Sequence, residues 1–168
     1  QATKAQKAFI CIKLVHKDVI LKLTPLLKTE PNIKIYPLKN RYPMGEERAI
    51  IRESLNTLLG VNDLPIKANA VVLNAETLMA IHDAVVLKKP VIDKYVTIAG
   101  KIGGLGSTHK VCTEVALGQS IQDVIDNHGG LEGEIGEVII GGPYTGHRME
   151  LDETVTKVCG GIIATEAF

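Results

Sequence analysis

Apolar positions along the first ninety residues alternate between strand-length runs and helical spacings. Ala8-Phe9-Ile10-Cys11-Ile12-Lys13-Leu14-Val15 is a nearly continuous apolar run, as expected for a strand covered on both faces. From Asp18 to Leu27 the apolar residues Val19, Ile20, Leu23 and Leu26/Leu27 fall at helical spacing, and Pro25 predicts a kink or an early end. Ile33-Lys34-Ile35-Tyr36 reads as a second strand closed by Pro37, which completes a β-α-β unit and implies parallel pairing. A stronger helix follows over Glu46 to Leu59. Ile51, Leu55 and Leu58 form its apolar face, Arg48, Arg52 and Asn56 face away, and Gly60 is the expected residue just past its end. Ala70-Val71-Val72-Leu73 reads as the next strand. Asn74 then caps a helix carrying Leu78, Ile81 and Val85 that stops before Pro90.

Beyond Ile92 the rhythm changes to short strands punctuated by glycine. Tyr95–Ile98 and Lys110–Val115 bracket the glycine-rich segment 100–106. A phosphate-cradling loop opens a helix, whereas this one leads into another strand, so it predicts a flexible hairpin connection. Ser120 and Asp123 form an approximate capping box on a short helix whose buried face is Ile121, Val124 and Ile125, with Gly129-Gly130 as the stop. Glu137–Ile140 is a strand entering the turn Gly141-Gly142-Pro143-Tyr144-Thr145-Gly146. Thr154–Val158 reads as one more strand, broken by Cys159-Gly160-Gly161. The fold class implied is α/β, a partial Rossmann-like parallel sheet with helices over residues 1–92. A small β-grasp domain follows over 93–168.

Composition narrows the function classes. The 168 residues are 45% hydrophobic but only 4% aromatic, which predicts an aliphatic core. A formal net charge of +0 argues against nucleic acid, because phosphate-backbone binding needs a basic surplus. Charge is unevenly spread, with nine Lys/Arg against two acids in residues 1–41 and ten acids against Arg148 and Lys157 in residues 114–168. Solvated faces account for this, although the same separation could orient the chain against partners. Cys11, Cys112 and Cys159 lack the spacing of a metal, cluster or redox motif. No apolar run approaches the roughly 18 residues that span a bilayer. These features predict a cytoplasmic chain with no iron–sulfur site, and opening on Gln1 rather than Met suggests a fragment.

Candidate chemistry lies at two helix beginnings, where free backbone N–H groups are available. Tyr42-Pro43-Met44-Gly45-Glu46-Glu47 opens one, and Leu73-Asn74-Ala75-Glu76-Thr77 opens the next. Each acid or amide also fits plain helix capping, worth about 0.3–1 kcal/mol for a first-turn acid and about 1 kcal/mol for an Asn cap. Together, with Gly45 allowing close backbone approach, they suit a crevice that accepts hydrogen bonds from ribose hydroxyls and ring amides. That crevice does not suit phosphates, whose donors and cations are missing there. His16, His82, His109, His128 and His147 have no recognisable nucleophile context, so hydrolysis has little support.

The order Tyr-Pro-x-Gly-Glu-Glu, Asn-x-Glu-Thr and Gly-Gly-Pro-Tyr-Thr-Gly resembles the C subunit of Rnf electron-transport complexes over nearly the whole chain. It also resembles an electron-transfer protein associated with proline reductase and, more distantly, the NADH-binding flavoprotein of respiratory complex I. The resemblance implies that Gly45, Glu46 and Glu47 contact nucleotide, that Asn74 approaches the flavin, and that Glu76 and Thr77 line the same pocket. It implies FMN and NADH in the full-length protein, partner subunits of an electron-transfer complex or reductase, and a soluble-ligand-binding β-grasp domain around Gly141–Gly146. The family's glycine-rich phosphate loop and its cysteine-rich cluster domain have no counterpart in these residues, so the isolated chain is expected to be colourless. The rival expectation is a docking or small-ligand module that carries no electrons.

Overall fold

The computed structural model describes residues 5–167. They form a mixed α/β structure of two compact units, Gln1–Leu73 and Asn74–Phe168. In the first, β1 (Ala8–Lys13) and β2 (Ile33–Leu38) pair in parallel, Ala8 opposite Ile33 through Lys13 opposite Leu38. Helix α1 (Lys17–Leu26) makes the crossover. Pro25 acts as its sequence suggests, because a residue without N–H cannot extend the ladder, and the helix tightens into a 3-10 turn at Leu27–Thr29. Helix α2 (Glu47–Leu55) is shorter than its apolar spacing predicts. Asn56 adopts the left-handed conformation, φ 51°, and ends it four residues before Gly60. An asparagine tolerates that conformation at low cost, so the apolar pattern outruns the helix.

The strand expected at Ala70–Leu73 is not formed. Those residues pair with no strand among the described residues. Helix α3 (Ala75–His82) continues as a π-helical turn over Asp83–Leu87.

The second unit holds a five-stranded sheet. In chain order its strands are β3 (Asp93–Gly100), β4 (Lys110–Ala116), β5 (Ile135–Ile140), β6 (His147–Arg148) and β7 (Gly161–Glu166). In space the order is β4-β3-β7-β5-β6, with β3 and β7 parallel and the other neighbours antiparallel. Along β3, Lys94, Val96 and Ile98 are buried while Tyr95 and Thr97 are exposed, so one face of the sheet meets the core and the other meets water. Helix α4 (Ile121–Asp126) closes that core with Ile121, Val124 and Ile125 against Val96, Ile98, Val138, Ile140, Ile162 and Ala164. Ser120 caps it, its hydroxyl oxygen accepting from the Asp123 N–H at 3.0 Å.

Two glycine positions are fixed by close approach. A Cβ on Gly104 would lie 2.1 Å from the His128 carbonyl oxygen, to which the Gly104 N–H donates at 2.7 Å. The glycine-rich segment, expected to be a flexible hairpin connection, instead holds a 3-10 helix over Gly103–Thr108 before β4 begins. Gly161, read as a strand breaker, instead begins β7. A side chain there would meet the Gly141 carbonyl at 2.9 Å and the Thr97 carbonyl at 3.2 Å, which is why the central strand starts on glycine. Thr154–Val158, read as a strand, makes a single bridge from Thr154 to Ser120.

Candidate functional site

The Tyr42–Glu47 segment folds as a turn feeding α2. Met44 N–H donates to the Arg41 carbonyl at 3.1 Å and Glu46 N–H to the Pro43 carbonyl at 2.8 Å, which brings the buried Met44 side chain under the turn. Glu46 is the helix cap, its Oε2 accepting from the N–H groups of Arg48 and Ala49 at 3.0 Å each. Glu47, one residue on, is exposed and has no side-chain partner among the described residues. A Cβ placed on Gly45 would meet nothing within 4 Å, so the turn is open to an approaching ligand.

Beside this turn lies a cavity of about 380 Å³. Arg48, Ala49, Arg52 and Glu53 on one face of α2 line it, with Arg41, Tyr42, Pro43 and Met44 from the turn and Leu58 and Leu59 from the following loop. Residues four apart share a helix face, which is how Arg48 and Arg52 arrive together while Ile51 is buried on the other side. Arg48 Nη2 donates to the Gly60 carbonyl. The Gly60 N–H in turn donates to Asp63 Oδ2 at 2.8 Å, and Asp63 Oδ1 accepts from Lys67 Nζ at 2.9 Å. The Lys67 hydrogen bond, then the Gly60 N–H, hold the Asp63 carboxyl below its ordinary value. Arg41 sits 3.8 Å from Glu53. Arg52 has no acidic partner among the described residues.

The second motif lies in the other unit. Asn74 caps α3, its Oδ1 accepting from the Glu76 N–H at 2.9 Å. Glu76 grips β3 with both oxygens: Oε2 accepts from Lys94 Nζ at 3.1 Å and Oε1 from the Tyr95 N–H at 2.7 Å. Lys94 is the buried charged residue among those described, so this carboxylate neutralises an ammonium removed from water. Thr77 is exposed. Beside Glu76 is a smaller cleft of about 210 Å³ with Asp83, Asp93, Lys89 and Glu114 on its rim.

Of the expected site residues, the structure groups Gly45, Glu46 and Glu47 at one helix start and Asn74, Glu76 and Thr77 at another. It commits Glu46 and Asn74 to caps and Glu76 to Lys94. Arg41, Arg48 and Arg52 line the neighbouring cavity, which Gly45, Glu46 and Glu47 do not themselves line. The signal in the sequence was the i, i+4 pair Arg48/Arg52 on the polar face of a helix opening with Gly-Glu-Glu. Among the described residues no group of His, Cys, Asp and Glu could hold a metal ion. Cys11, Cys112 and Cys159 are unpaired, and burial pushes the Cys11 and Cys159 thiols up.

Comparison with known proteins shows what these residues resemble. Residues 1–83, which include both helix starts, match the family described as the Nuo51 FMN-binding domain. The C subunit of the Na(+)-translocating ferredoxin:NAD(+) oxidoreductase complex of Acetobacterium woodii is 29% identical over 159 residues, 94% of this chain and 35% of the relative. The C subunit of the ion-translocating oxidoreductase complex of Pseudomonas aeruginosa is 33% identical, covering 80% of this chain and 17% of its own length. The cobalamin reductase PduS of Salmonella typhimurium is 30% identical, with 96% of this chain and 35% of the relative covered. Over most of its length the chain is similar to Rnf-type C subunits and to PduS proteins, and its residues 1–83 match the Nuo51 FMN-binding domain. It spans about a third or less of the length of these relatives. No helix among the described residues is long and apolar enough to cross a membrane.

Proposed function

We propose that the chain is a segment of an NADH-linked electron-transfer subunit that passes electrons through flavin to a partner redox protein. In this reading residues 1–92 belong to the flavoprotein domain and 93–168 form a β-grasp module of the soluble-ligand-binding type. The observation that carries it is the coincidence of the FMN-binding match over residues 1–83 with an open Gly45–Glu47 turn beside a cavity of about 380 Å³. The strand order β4-β3-β7-β5-β6, with first and last strands parallel at its centre and one helix crossing, supports the β-grasp assignment.

The cavity residues fit a flavin nucleotide chemically, since Leu58, Leu59 and Tyr42 offer apolar and aromatic surface while the arginines offer donors. Accepting hydride and releasing single electrons is the flavin's own chemistry, and the protein supplies binding and orientation. Glu47, exposed and unspent, would accept hydrogen bonds from ribose hydroxyls. Gly45 leaves room for close approach. Asn74 keeps its amide N–H donors for a ring carbonyl while its oxygen caps α3. Glu76 orients α3 through Lys94 and Tyr95, and Thr77 adds an exposed hydroxyl in the first turn.

One observation favours the second reading, a docking module without electron transfer. Glu46, Asn74 and Glu76 already spend acceptor oxygens on protein groups, as purely structural residues would. The experiment that separates the two is NADH-driven reduction of an artificial acceptor by the full-length protein. Glu47→Gln is expected to slow it roughly tenfold, the loss of one charge-assisted hydrogen bond, with little change in melting temperature. Asn74→Ala is expected to lower both rate and melting temperature. An unchanged rate in a flavin-loaded Glu47→Gln protein would favour the docking module.

A further inference from the structure

We propose that the cavity between the Tyr42–Met44 turn, α2 and the Leu58 loop is an anion subsite that binds the phosphate of a nucleotide through Arg52 and Arg48, with Arg41 at its rim. The proposal rests on the nucleotide reading of the Gly45–Glu47 turn and names the part of the ligand that this side of the turn would take. Three guanidinium groups line the cavity against a single carboxylate, Glu53. That carboxylate is engaged with Arg41 at 3.8 Å, which leaves Arg52 with no acidic partner among the described residues.

Arg48 is held in place. One of its nitrogens donates to the Gly60 carbonyl, and Asp63 fixes that glycine through its N–H, so the remaining donors of the guanidinium are presented without first having to be ordered. A guanidinium has five N–H donors in a planar fork, which matches two oxygens of a phosphate. Arg48 and Arg52 lie one helical turn apart on the same face of α2, close enough to share one phosphate or adjacent phosphates. The helix start adds little here, since Glu46 already takes the N–H groups of Arg48 and Ala49. The side chains, not the helix end, are the anion-binding groups. This arrangement gives residues 1–83 cationic phosphate contacts of their own, independent of any glycine-rich loop.

The test is calorimetric titration of the 168-residue chain with inorganic pyrophosphate at about 0.15 M salt, where charges separated by more than about 8 Å are screened. Pyrophosphate is expected to bind, and Arg52→Gln to weaken it about tenfold, the worth of one charge-assisted contact. Arg52→Lys is expected to fall between, because a point charge cannot make the forked contact. Arg148→Gln, in the other unit, serves as the control and is expected to leave binding unchanged. Circular dichroism melts show that each variant is folded, and Arg41→Gln gives a second route should Arg52→Gln not fold.

FMN against riboflavin, and ADP against adenosine, then distinguish a monoester from a diphosphate. A loss confined to either phosphorylated ligand, or shared by both, supports the subsite and identifies its source. No pyrophosphate binding, or binding indifferent to Arg52 and Arg41, overturns it. Pyrophosphate binding through Arg52 combined with an unchanged NADH rate in the full-length Glu47→Gln protein would leave the anion subsite standing and remove the electron-transfer reading.

Discussion

The two units of this chain bury their apolar side chains to different extents. In Asn74–Phe168, fourteen apolar residues from β3, β4, β5, β7, α4 and the connecting loops form one buried cluster. In Gln1–Leu73, the buried apolar residues among those described are Leu38, Met44 and Ile51. Leu58, Val61 and Val71 of that unit are 79%, 88% and 74% exposed. The C-terminal unit therefore carries its own stabilising core. The N-terminal unit instead leaves many of its large apolar side chains exposed. Few buried contacts mean low local stability, which is the usual condition of elements that take up ligands.

The largest expected contrast comes from truncating one buried isoleucine in each unit. Ile125→Ala should cost about 2–5 kcal/mol, because the surrounding sheet and helix cannot collapse onto the void. Ile51→Ala should fall at or below the lower end of that range, since the thinner packing around α2 can relax. Urea unfolding followed by segment-resolved hydrogen exchange checks both, and equal costs would break the comparison. Next in size is Glu76→Ala, expected to cost about 1–3 kcal/mol by leaving the buried Lys94 ammonium and the Tyr95 N–H unpaired. Adding Lys94→Met should recover part of that loss in a double-mutant cycle. Capping should not differ between the units: Ser120→Ala and Glu46→Ala are each expected to cost about 1 kcal/mol, which would place the difference in the cores and not in the helix ends.

How far these features were legible in the sequence follows the same division. The crossover β1-α1-β2, the Asn74 and Ser120 caps and the α4 core face could be read because local spacing and tertiary packing agree there. The length of α2 could not be read from its apolar pattern, since Leu58 continues the spacing while Asn56 turns the backbone out of the helix. Strand β7 was hidden for a different reason. Gly161 looks like a breaker in isolation, and its need for glycine comes from carbonyls on β3 and on the segment after β5, both far away in sequence. At the site, helix-start positions gave Glu46, Glu47 and Asn74. The cationic side was missed because Arg41 joins Arg48 and Arg52 only once the Tyr42–Met44 turn has formed.

The smallest expected effect concerns pH. Asp63 has a lowered carboxyl pKa in the folded chain, so the unfolded state takes up its proton first as pH falls. Its contribution is complete above the ordinary aspartate value of about 3.9 and is lost as pH drops through the lowered folded value. The amide of Gly60, which donates to Asp63, should lose exchange protection across that acid window, with no corresponding change at α4.

The central claim is that the open N-terminal unit is the nucleotide-binding half and the closed C-terminal unit its stable neighbour. It is tested most directly by hydrogen exchange on the full-length protein with and without FMN and NADH. The account predicts slowed exchange in residues 41–60, where the turn, α2 and the arginine-lined cavity lie, and unchanged exchange in α4 and β3. Protection confined to residues 93–166, with 41–60 unaffected in a protein that has bound both ligands, would contradict it.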